Sequence, residues 1–272
     1  MLLPLSLNFG ILMKSLVIVY FIVLFPYIAT AQTVLFSENF DNQSLLGWTI
    51  LDDQPAFSGP SKWYVEDKEL RQTSNIWAYA EPLEFFYHLG TQIIADSTSL
   101  NNYTINALLK STDNDGIGII FRYVNQKNYY RILLLDDAAN GGPKRKLQKF
   151  VNGEPVTLYE KTYTDATPTG WFSVTADVRG DTITTYVDGE RFASVTDATY
   201  PKGKIGLFCY ANSGAYFDSV KVTEDFLLYG KPNIPDVVVE RAPYIQLTEK
   251  TSVSIAWNSV SKTKGSVTVS GP

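Results

Sequence analysis

The stretch WFSVTADVRGDTITTYVDGERFASVTDATYPKGKIGLFCYANSGAYFDSVKV, residues Trp171–Val222, decides the fold because three strand signals follow one another in it, each ended by its own turn. Apolar residues alternate with polar ones over Val174–Val178, and Gly180-Asp181 then permits a tight reversal. The alternation resumes over Ile183–Val187 and stops at Asp188-Gly189. This pattern predicts an antiparallel sheet with one buried face.

Strand signals of the same kind extend over most of the chain. Val34–Phe40 is predicted as the opening strand, and Trp48 and Trp63 are large apolar anchors for the first sheet edge. No segment keeps a sustained helical period. The clearest further strands are predicted at Thr91–Ser97, Tyr103–Ser111, Gly116–Val124, Tyr129–Asp136, Lys146–Val151, Val156–Lys161, Phe172–Val178, Thr182–Val187, Lys204–Tyr210 and Tyr216–Val222. Many short strands separated by turns predict an all-β, two-sheet antiparallel sandwich over residues 34–224.

The composition supports a sheet protein and excludes some partners. Hydrophobic residues make up 45% of the chain and aromatic residues 14%, with 17 Tyr, which favours sheet over helix. The formal net charge is −5, so we expect no nucleic acid partner. Cys209 is the only cysteine, so internal disulfides are excluded. Its place within Ile205–Tyr210 predicts a buried strand residue, not a reactive thiol.

The first 31 residues resemble a secretory signal peptide. Lys14 is the only charged residue among them, an apolar run covers Ser15–Phe25, and Ala29-Thr30-Ala31 offers a cleavage site. Cleavage near Ala31 predicts a secreted protein, extracellular, at the cell surface or in a periplasm. A retained membrane anchor is the alternative, because residues 1–12 are also fairly apolar and lengthen the segment. Membrane contact is expected only through this segment.

Several motifs in the strand region carry a family resemblance. The hairpin V-x-G-x-x-I-x-x-Y-V-D-G at Val178–Gly189, followed by G-K-I-G-L-F and A-Y-F-D-S-V-K-V, resembles the closing strands of concanavalin A-like jelly rolls. The pattern G-x-x-F-R, then N-Y-Y-x-x-x-L, over Gly118–Leu134 resembles another hairpin of these domains. The superfamily includes laminin G-like domains, many carbohydrate-binding modules and the 3-keto-disaccharide hydrolase family. The resemblance implies a jelly-roll fold and this class of role, without a defined ligand.

The composition changes after Glu224. Residues 225–237 contain two prolines and a glycine without alternation, which predicts an interdomain linker. Beyond it, R-x-P-Y-x-Q at Arg241–Gln246 and S-V-x-I-x-W at Ser252–Trp257 resemble the opening of the fibronectin III-like domain of purple acid phosphatases and related metallophosphoesterases. Residues 238–272 are too short for that domain. The resemblance implies a fragment with a downstream catalytic domain in cis; the alternative is that these strands pack their edges on something else.

No catalytic constellation is evident in the sequence. Laminarinase-type glycosidases of this fold use an E-x-D-x-x-E strand, because retaining hydrolysis needs two closely spaced carboxyl groups on one sheet face. Glu66, Asp67 and Glu69 come closest, but their context predicts a hairpin turn. His88 is the only histidine, so a histidine-based metal cluster or a dinuclear phosphatase centre cannot be assembled. His88 itself is predicted to be packed or solvent-facing.

Candidate ligand-binding residues come from the Gly118–Leu134 hairpin. Alternation places Arg122 on one face of its strand, and Tyr129 with Arg131 on one face of the next. If these faces coincide, the two guanidinium groups and the ring can grip a sugar or a uronate. The alternative is that the arginines join a cross-strand network with Asp136 or Glu160. Trp77 and Tyr79 are the best candidates for exposed aromatic residues, although they can equally be core.

A structural calcium ion is the most plausible cofactor. Calcium takes six or more oxygen ligands, which acidic side chains near the chain ends of a jelly roll can supply. Glu38 and Asp41 near the opening strand and Asp218 in the closing strand are the candidates. The alternative is that Asp218 caps a turn while the other two lie in solvent. The acidic loop Asp113–Asp115 is predicted to be a solvated turn.

These observations predict a secreted, non-catalytic module that binds a glycan or a cell-surface polysaccharide and precedes a metallophosphatase domain. One alternative is a glycoside-cleaving domain of the 3-keto-disaccharide hydrolase kind, with Glu66 or Asp136 as the residues to test. The other is a structural spacer of a secreted acid phosphatase.

Overall fold

A computed structural model describes residues 32–78 and 87–232 of the chain, together with the backbone of the strands Val239–Glu249 and Ser252–Ser259. The predicted signal peptide, residues 1–31, and the candidate Tyr79 lie outside these ranges. Among the described residues there is no helix long and apolar enough to cross a membrane.

Strands dominate the described part of the chain, as the alternating sequence predicts. In chain order they are β1 (Val34–Glu38), β2 (Trp48–Asp52), β3 (Ala56–Phe57), β4 (Trp63–Glu66), β5 (Glu69–Gln72), β6 (Trp77–Ala78), β7 (Thr91–Ala95), β8 (Tyr103–Ser111), β9 (Gly116–Asn125), β10 (Asn128–Leu135), β11 (Lys144–Val151), β12 (Glu154–Thr162), β13 (Phe172–Arg179), β14 (Thr182–Val187), β15 (Glu190–Thr196), β16 (Lys204–Tyr210), β17 (Ala215–Thr223), β18 (Val239–Glu249) and β19 (Ser252–Ser259). A short 3-10 turn lies at Ala138–Asn140, capped by the Asp137 side chain.

Two antiparallel sheets form a sandwich, which confirms the predicted fold class. Within the described residues, the first sheet has eight strands in the order β15-β14-β13-β8-β17-β5-β4, with β1 also paired to β17. The second has seven, in the order β12-β11-β10-β9-β16-β7-β2. The opening strand therefore lies beside the closing one, with Glu38 opposite Val220. The short strands β3 and β6 pair with each other, and so do β18 and β19.

The stretch Trp171–Val222 forms β13 to β17, and these strands divide between both sheets. β13, β14 and β15 run as a meander at one edge of the first sheet. β16 crosses to the second sheet between β9 and β7, and β17 returns to the first between β8 and β5. The alternation alone predicts a single sheet. The chain instead passes from the first sheet to the second at β16 and back at β17, which links the two layers.

The central strands of the second sheet are buried on both faces. Ile117, Ile119 and Phe121 of β9 pack in the main core between the sheets, whereas Ile120 and Tyr123 belong to a second apolar cluster on the outer face. Burial on both sides explains why β9 and β10 have nearly continuous apolar sequences instead of strict alternation. Cys209 lies in the main core, where burial raises the pKa of its thiol well above the usual value.

The first residues of the predicted linker pack on the sandwich. Asn106 Nδ2 donates to the carbonyl of Leu227 at 2.9 Å, and Ser173 Oγ donates to that of Tyr229 at 2.9 Å. The rings of Tyr186 and Phe226 lie 5.9 Å apart. The segment after β17 is thus attached to the outer face of the first sheet. The fibronectin-like identity of residues 238–272 stays a prediction.

Candidate functional site

Two chain segments, one ending at residues 76–78 and the other at residues 87–90, cross the outer face of the second sheet. Backbone hydrogen bonds hold them there: Asp53 N donates to Gly90 O at 2.9 Å, and Ala78 N donates to Leu89 O at 2.8 Å. Ala211 N, at the end of β16, donates to Ile76 O at 2.8 Å. Leu89 and other partly buried residues pack on the apolar cluster below. Two clefts open beside these segments, and both are lined by carboxylate, amide and aromatic side chains.

Arg131 holds one of these segments in place from below. Its side chain is 0% exposed, and its guanidinium lies over the rings of Phe150 at 4.6 Å and Phe208 at 4.4 Å. Nη1 donates to the carbonyl of His88 at 2.9 Å, and Nη2 donates to that of Tyr87 at 2.6 Å. Burial lowers the pKa of Arg131. The residue therefore positions the wall of a cleft without reaching solvent.

The Asp53 cleft is a depression of about 320 Å³ beside this segment. It is lined by Asp53, Gln54, Tyr87, Leu89, Gln126, Lys127, Phe150, Asn152, Gly153 and Glu154. The Phe150 ring stacks on Tyr129, with centroids 4.6 Å apart and planes at 11°. Tyr87 OH donates to Glu154 Oε2 at 2.6 Å. The cleft thus combines an aromatic ring with carboxylate, amide and hydroxyl groups.

Asp53 is the most strongly perturbed group in this cleft. One carboxylate oxygen accepts the backbone N–H of Gly90 at 2.9 Å, and the other accepts from Gln126 Nε2 at 3.3 Å and Gln92 Nε2 at 3.4 Å. Burial raises the pKa of Asp53 to about 6, against the Gly90 hydrogen bond and the positive charge of Arg131, which both lower it. A carboxyl group with this pKa exchanges a proton near neutral pH.

The Trp77 cleft lies on the same face and has a volume of about 330 Å³. It is lined by Asn75, Trp77, Asp115, Asn140, Tyr210 and Ala211. The half-buried indole of Trp77 stacks on Phe57, with centroids 4.4 Å apart and planes at 17°. Tyr210 OH donates to Asn140 Oδ1 at 3.1 Å. Burial, and then the charges of Asp113 and Asp137, raise the pKa of Asp115 to about 6, so the predicted solvated turn contains a half-buried carboxyl group.

Arg122 lies away from Arg131, so the two strand faces that could have coincided do not bring these residues together. A bulge in β9, where Lys204 pairs with Tyr123 and Gly206 with Ile120, inserts an extra residue, and Arg122 has φ +46°. Its side chain is 0% exposed. Tyr129 and Arg131 remain neighbours at the Asp53 cleft, but both are 0% exposed and lie beneath its surface. Ligand binding by Arg122, Tyr129 and Arg131 stays a prediction. Because these side chains are buried, they can contribute only by holding other residues in place.

The calcium candidates contact other groups. Glu38 Oε1 accepts the backbone N–H of Phe40 at 2.8 Å, and Asp41 forms an ion pair with Lys68 at 3.1 Å. Asp218 Oδ1 accepts the N–H of Ser219. Burial raises the pKa of Asp218, to which the charges of Glu69 and Asp41 contribute less. No group of three or more acidic, histidine or cysteine residues suited to a metal ion occurs in the described ranges, so calcium stays a prediction without a preformed ligand set.

The carboxylates considered for catalysis form ion pairs or accept backbone hydrogen bonds. Glu66 and Glu69 face each other across the predicted hairpin turn, and Arg71 pairs with Glu66 and with Asp67. Asp136 accepts the backbone N–H groups of Ala166 and Thr167. None of these carboxylates lines the Asp53 or the Trp77 cleft.

His88 is buried, with Nε2 2.9 Å from the carbonyl of Asn140 and its ring edge-on to Tyr210 at 5.0 Å. His88 is therefore packed between the two clefts. The sequence predicts a packed or a solvent-facing side chain, and the structure shows the packed one.

Asp53 and Gln126 are among the cleft residues that the sequence analysis did not identify. The available signal was the pair Asp52-Asp53, which places two adjacent carboxylates at the end of a strand. Gln126 lies at the tip of the hairpin between β9 and β10, a position typical of exposed polar residues. Both approach the cleft only because the segment before β7 folds across the sheet, which no local pattern indicates.

Comparisons with known proteins agree with this architecture. Solved structures similar to the chain include a protein of unknown function with a galectin-like fold from Bacillus subtilis, at 11% identity and TM-score 0.53 over 71% of this chain and 96% of that one. The GH43 protein BlXynB from Bacillus licheniformis gives 17% and 0.51 over 70% and 39% of the chains, and the carbohydrate-binding module CBM66 from Bacillus subtilis gives 18% and 0.49 over 67% and 97%. At such identities, the two similarities with TM-scores above 0.5 show the fold alone.

A search of curated proteins found no match. The family model of the 3-keto-alpha-glucoside-1,2-lyase-like domain matches residues 35–223, which include both sheets of the sandwich and both clefts. Because this match covers well over half of the chain, the protein belongs to the family of 3-keto-alpha-glucoside-1,2-lyase-like domains.

Proposed function

We propose that the sandwich is a carbohydrate-binding module and that its ligand lies in the Asp53 cleft. The observation that carries the proposal is the lining of this cleft, which places the partly exposed ring of Tyr87 beside the polar groups of Asp53, Gln126 and Glu154. A sugar ring presents C–H groups to an aromatic face and hydroxyl groups to carboxylates and amides. Membership of a family named for a glucoside supports the same ligand class.

The lining groups are held in fixed positions. Gln126 Nε2 donates to the carbonyl of Asp52 at 2.9 Å, and Tyr87 is fixed through its own carbonyl by Arg131 and through its hydroxyl by Glu154. A site whose polar groups are already oriented loses less conformational freedom when a ligand binds. The cleft is therefore suited to bind a short oligosaccharide without a large rearrangement.

Titration calorimetry of the full chain with a panel of neutral oligosaccharides tests this proposal. Asp53→Ala and Gln126→Ala should each weaken the ligand found by about tenfold or more, because each removes polar contacts in a desolvated site. Asp165→Asn is the matched control, since Asp165 is exposed and outside the clefts. Unchanged affinity in both cleft variants contradicts the assignment of the cleft, and no binding across the panel favours the structural spacer.

A second candidate function is cleavage of a 3-keto-glucoside by elimination, and the perturbed Asp53 favours it. In this reaction a base removes the proton from the carbon between the keto group and the anomeric carbon. The electron pair forms a carbon–carbon double bond, the glycosidic C–O bond breaks, and the departing oxygen takes a proton. Asp53, with its pKa raised to about 6, is the described cleft residue best suited to be the base.

Turnover of a 3-keto-disaccharide separates the two functions. If the domain is an enzyme, Asp53→Asn should lower kcat by at least about a hundredfold while the ligand still binds. Glu66→Gln and Asp136→Asn serve as controls, because neither carboxylate lines the clefts. Absence of turnover by the unaltered chain rejects catalysis and leaves binding.

The wider setting of the module is part of the same proposal. We propose secretion after cleavage near Ala31, a downstream metallophosphatase domain in cis, and a calcium ion near Glu38, Asp41 and Asp218. The resemblances in the sequence support the first two, and the pairing of β1 with β17 supports the third because it brings the chain ends of the sandwich together. Amino-terminal sequencing of the exported protein, sequencing beyond Pro272 and calcium titration test them separately.

A further inference from the structure

The indole of Trp77 is held in a fixed position on the outer face of the second sheet. Its ring stacks on Phe57, with centroids 4.4 Å apart, and the pairing of β3 with β6 places the two residues opposite each other. The side chain packs on the outer-face apolar cluster, yet it stays half-buried and lines the Trp77 cleft. A ring that is fixed by packing and still lines an open cleft can contact a ligand with little loss of conformational freedom.

Polar groups line this cleft together with the indole, and they include Asn75, Asp115 and Asn140. Asn140 is oriented by its neighbours, because its Oδ1 accepts from Tyr210 OH at 3.1 Å and its Nδ2 donates to Asp137 Oδ2 at 2.5 Å. The Asp115 carboxylate accepts one long hydrogen bond among the described residues, from Asn140 Nδ2 at 3.4 Å, and burial is the main cause that raises its pKa to about 6. A partly desolvated carboxylate of this kind is stabilised when a ligand hydroxyl donates to it.

The Trp77 cleft and the Asp53 cleft lie on either side of His88. The ring of His88 contacts two residues that line the Trp77 cleft, with Nε2 2.9 Å from the carbonyl of Asn140 and the ring centroid 5.0 Å from that of Tyr210. The neighbours of His88 in the chain, Tyr87 and Leu89, line the Asp53 cleft. The two clefts share no lining residue, so a single sugar ring fills one of them, whereas a chain of linked rings can reach both.

We propose that the Trp77 cleft is a second subsite for the glycan of the Asp53 cleft, in which a sugar ring packs against the indole of Trp77 and donates hydroxyl groups to Asp115 and Asn75. The inference rests on the proposed carbohydrate-binding function and adds the form of the ligand, a neutral oligosaccharide long enough to pass His88. Two linked subsites bind such a chain more tightly than either binds a single unit, because the second contact forms within the complex already made by the first.

Calorimetry of the full chain with glucans of increasing length tests the subsite. The probes are cello-, laminari- and malto-oligosaccharides, from glucose to the hexasaccharide. Affinity should rise by about tenfold or more at the length that fills both clefts. Trp77→Ala should cancel this rise and leave the affinity for the short members unchanged. Fluorescence is a second readout, because Trp77 is the one tryptophan among the described residues that line either cleft: long members should shift the emission of the unaltered chain but not that of Trp77→Phe.

Trp171→Ala is the matched control, because Trp171 is also half-buried but lies beside Lys110 and lines neither cleft. If Trp77→Ala does not fold, Asn75→Ala decides; this position is exposed, and its loss should reduce the rise by about threefold.

The outcomes separate this subsite from the proposed function. A rise that is unchanged in the deciding variant, or no rise with length, overturns the subsite, and the proposed function still stands if Asp53→Ala weakens the binding of short members. Weaker binding in Trp77→Ala with unchanged affinity in Asp53→Ala supports a sugar site at Trp77 and contradicts the assignment of the Asp53 cleft. No binding by any member of the three series overturns both.

Discussion

Replacing Asp53 with asparagine should stabilise the protein above pH 6 and have little effect at pH 4. Burial raises the pKa of Asp53 from 3.8 to about 6 in the folded state. The folded protein therefore retains a proton between these values that the unfolded chain has already released. Stability from this group is present below pH 3.8 and is lost as pH rises through 6. A shift of this size corresponds to roughly 3 kcal/mol of free energy of unfolding.

Asparagine preserves the shape of the site and removes the charge. Its side-chain oxygen can still accept the Gly90 N–H, which Asp53 accepts at 2.9 Å. Its amide can donate to Oε1 of Gln92, a buried atom without a hydrogen-bond partner among the described residues. The lost interactions are the attraction between the Asp53 carboxylate and Arg131 and the hydrogen bonds that the second carboxylate oxygen accepts from Gln92 and Gln126, and they offset part of the gain. We therefore expect a net stabilisation of about 1–3 kcal/mol at pH 8.

Urea unfolding at intervals from pH 4 to pH 8 measures the effect. The difference in free energy of unfolding between Asp53→Asn and the unaltered chain should grow from near zero at pH 4 to its full value above pH 7. Asp115→Asn is a necessary companion, because the pKa of Asp115 is also raised to about 6 and gives the same direction of pH dependence. Parallel curves for Asp53→Asn and the unaltered chain would show that Asp53 ionises normally and would refute the reasoning.

Three further outcomes are expected. Gly118→Ala should prevent folding or destabilise the chain by several kcal/mol, because an added Cβ would lie 1.8 Å from the carbonyl oxygen of Ile132; circular dichroism of the purified variant checks this. Arg131→Met should lower the free energy of unfolding by about 3 kcal/mol, since it leaves the carbonyls of residues 87 and 88 unpaired, and hydrogen exchange should rise at 87–90; unchanged exchange would contradict the positioning role. Asn106→Ala combined with Ser173→Ala should release the segment after β17, seen as faster proteolysis at 225–231 without loss of the sandwich; equal cleavage rates would contradict its attachment.

The sequence predicts the strands well because their determinants are local. β8, β14 and β16 begin and end at the predicted residues, since alternating side chains and turn residues such as Gly180 act within a few positions. The bulge at Arg122 has no such local determinant. It depends on the register of β9 against β16, which a single strand does not encode, and one inserted residue is enough to reverse the face of a side chain.

The clefts were less predictable because they form between segments distant in sequence. Asp53 approaches Gln126 and Phe150 only after the second sheet has formed and the segment ending at Gly90 has crossed it. Trp77, a candidate aromatic residue chosen for its local context, does line a cleft, and ligand binding by it stays a prediction. Composition does not predict which charged side chains line these clefts, because it gives the number of acidic and basic residues but not how deeply each one is buried.

Burial reverses the electrostatic expectation for the outer face. Arg131, predicted to grip a sugar or a uronate, lies beneath the surface, whereas Asp53 and Glu154 line the Asp53 cleft with Lys127 as the opposing charge. Ionised carboxylates at the surface would repel a uronate, so the expected ligand of the Asp53 cleft is a neutral sugar.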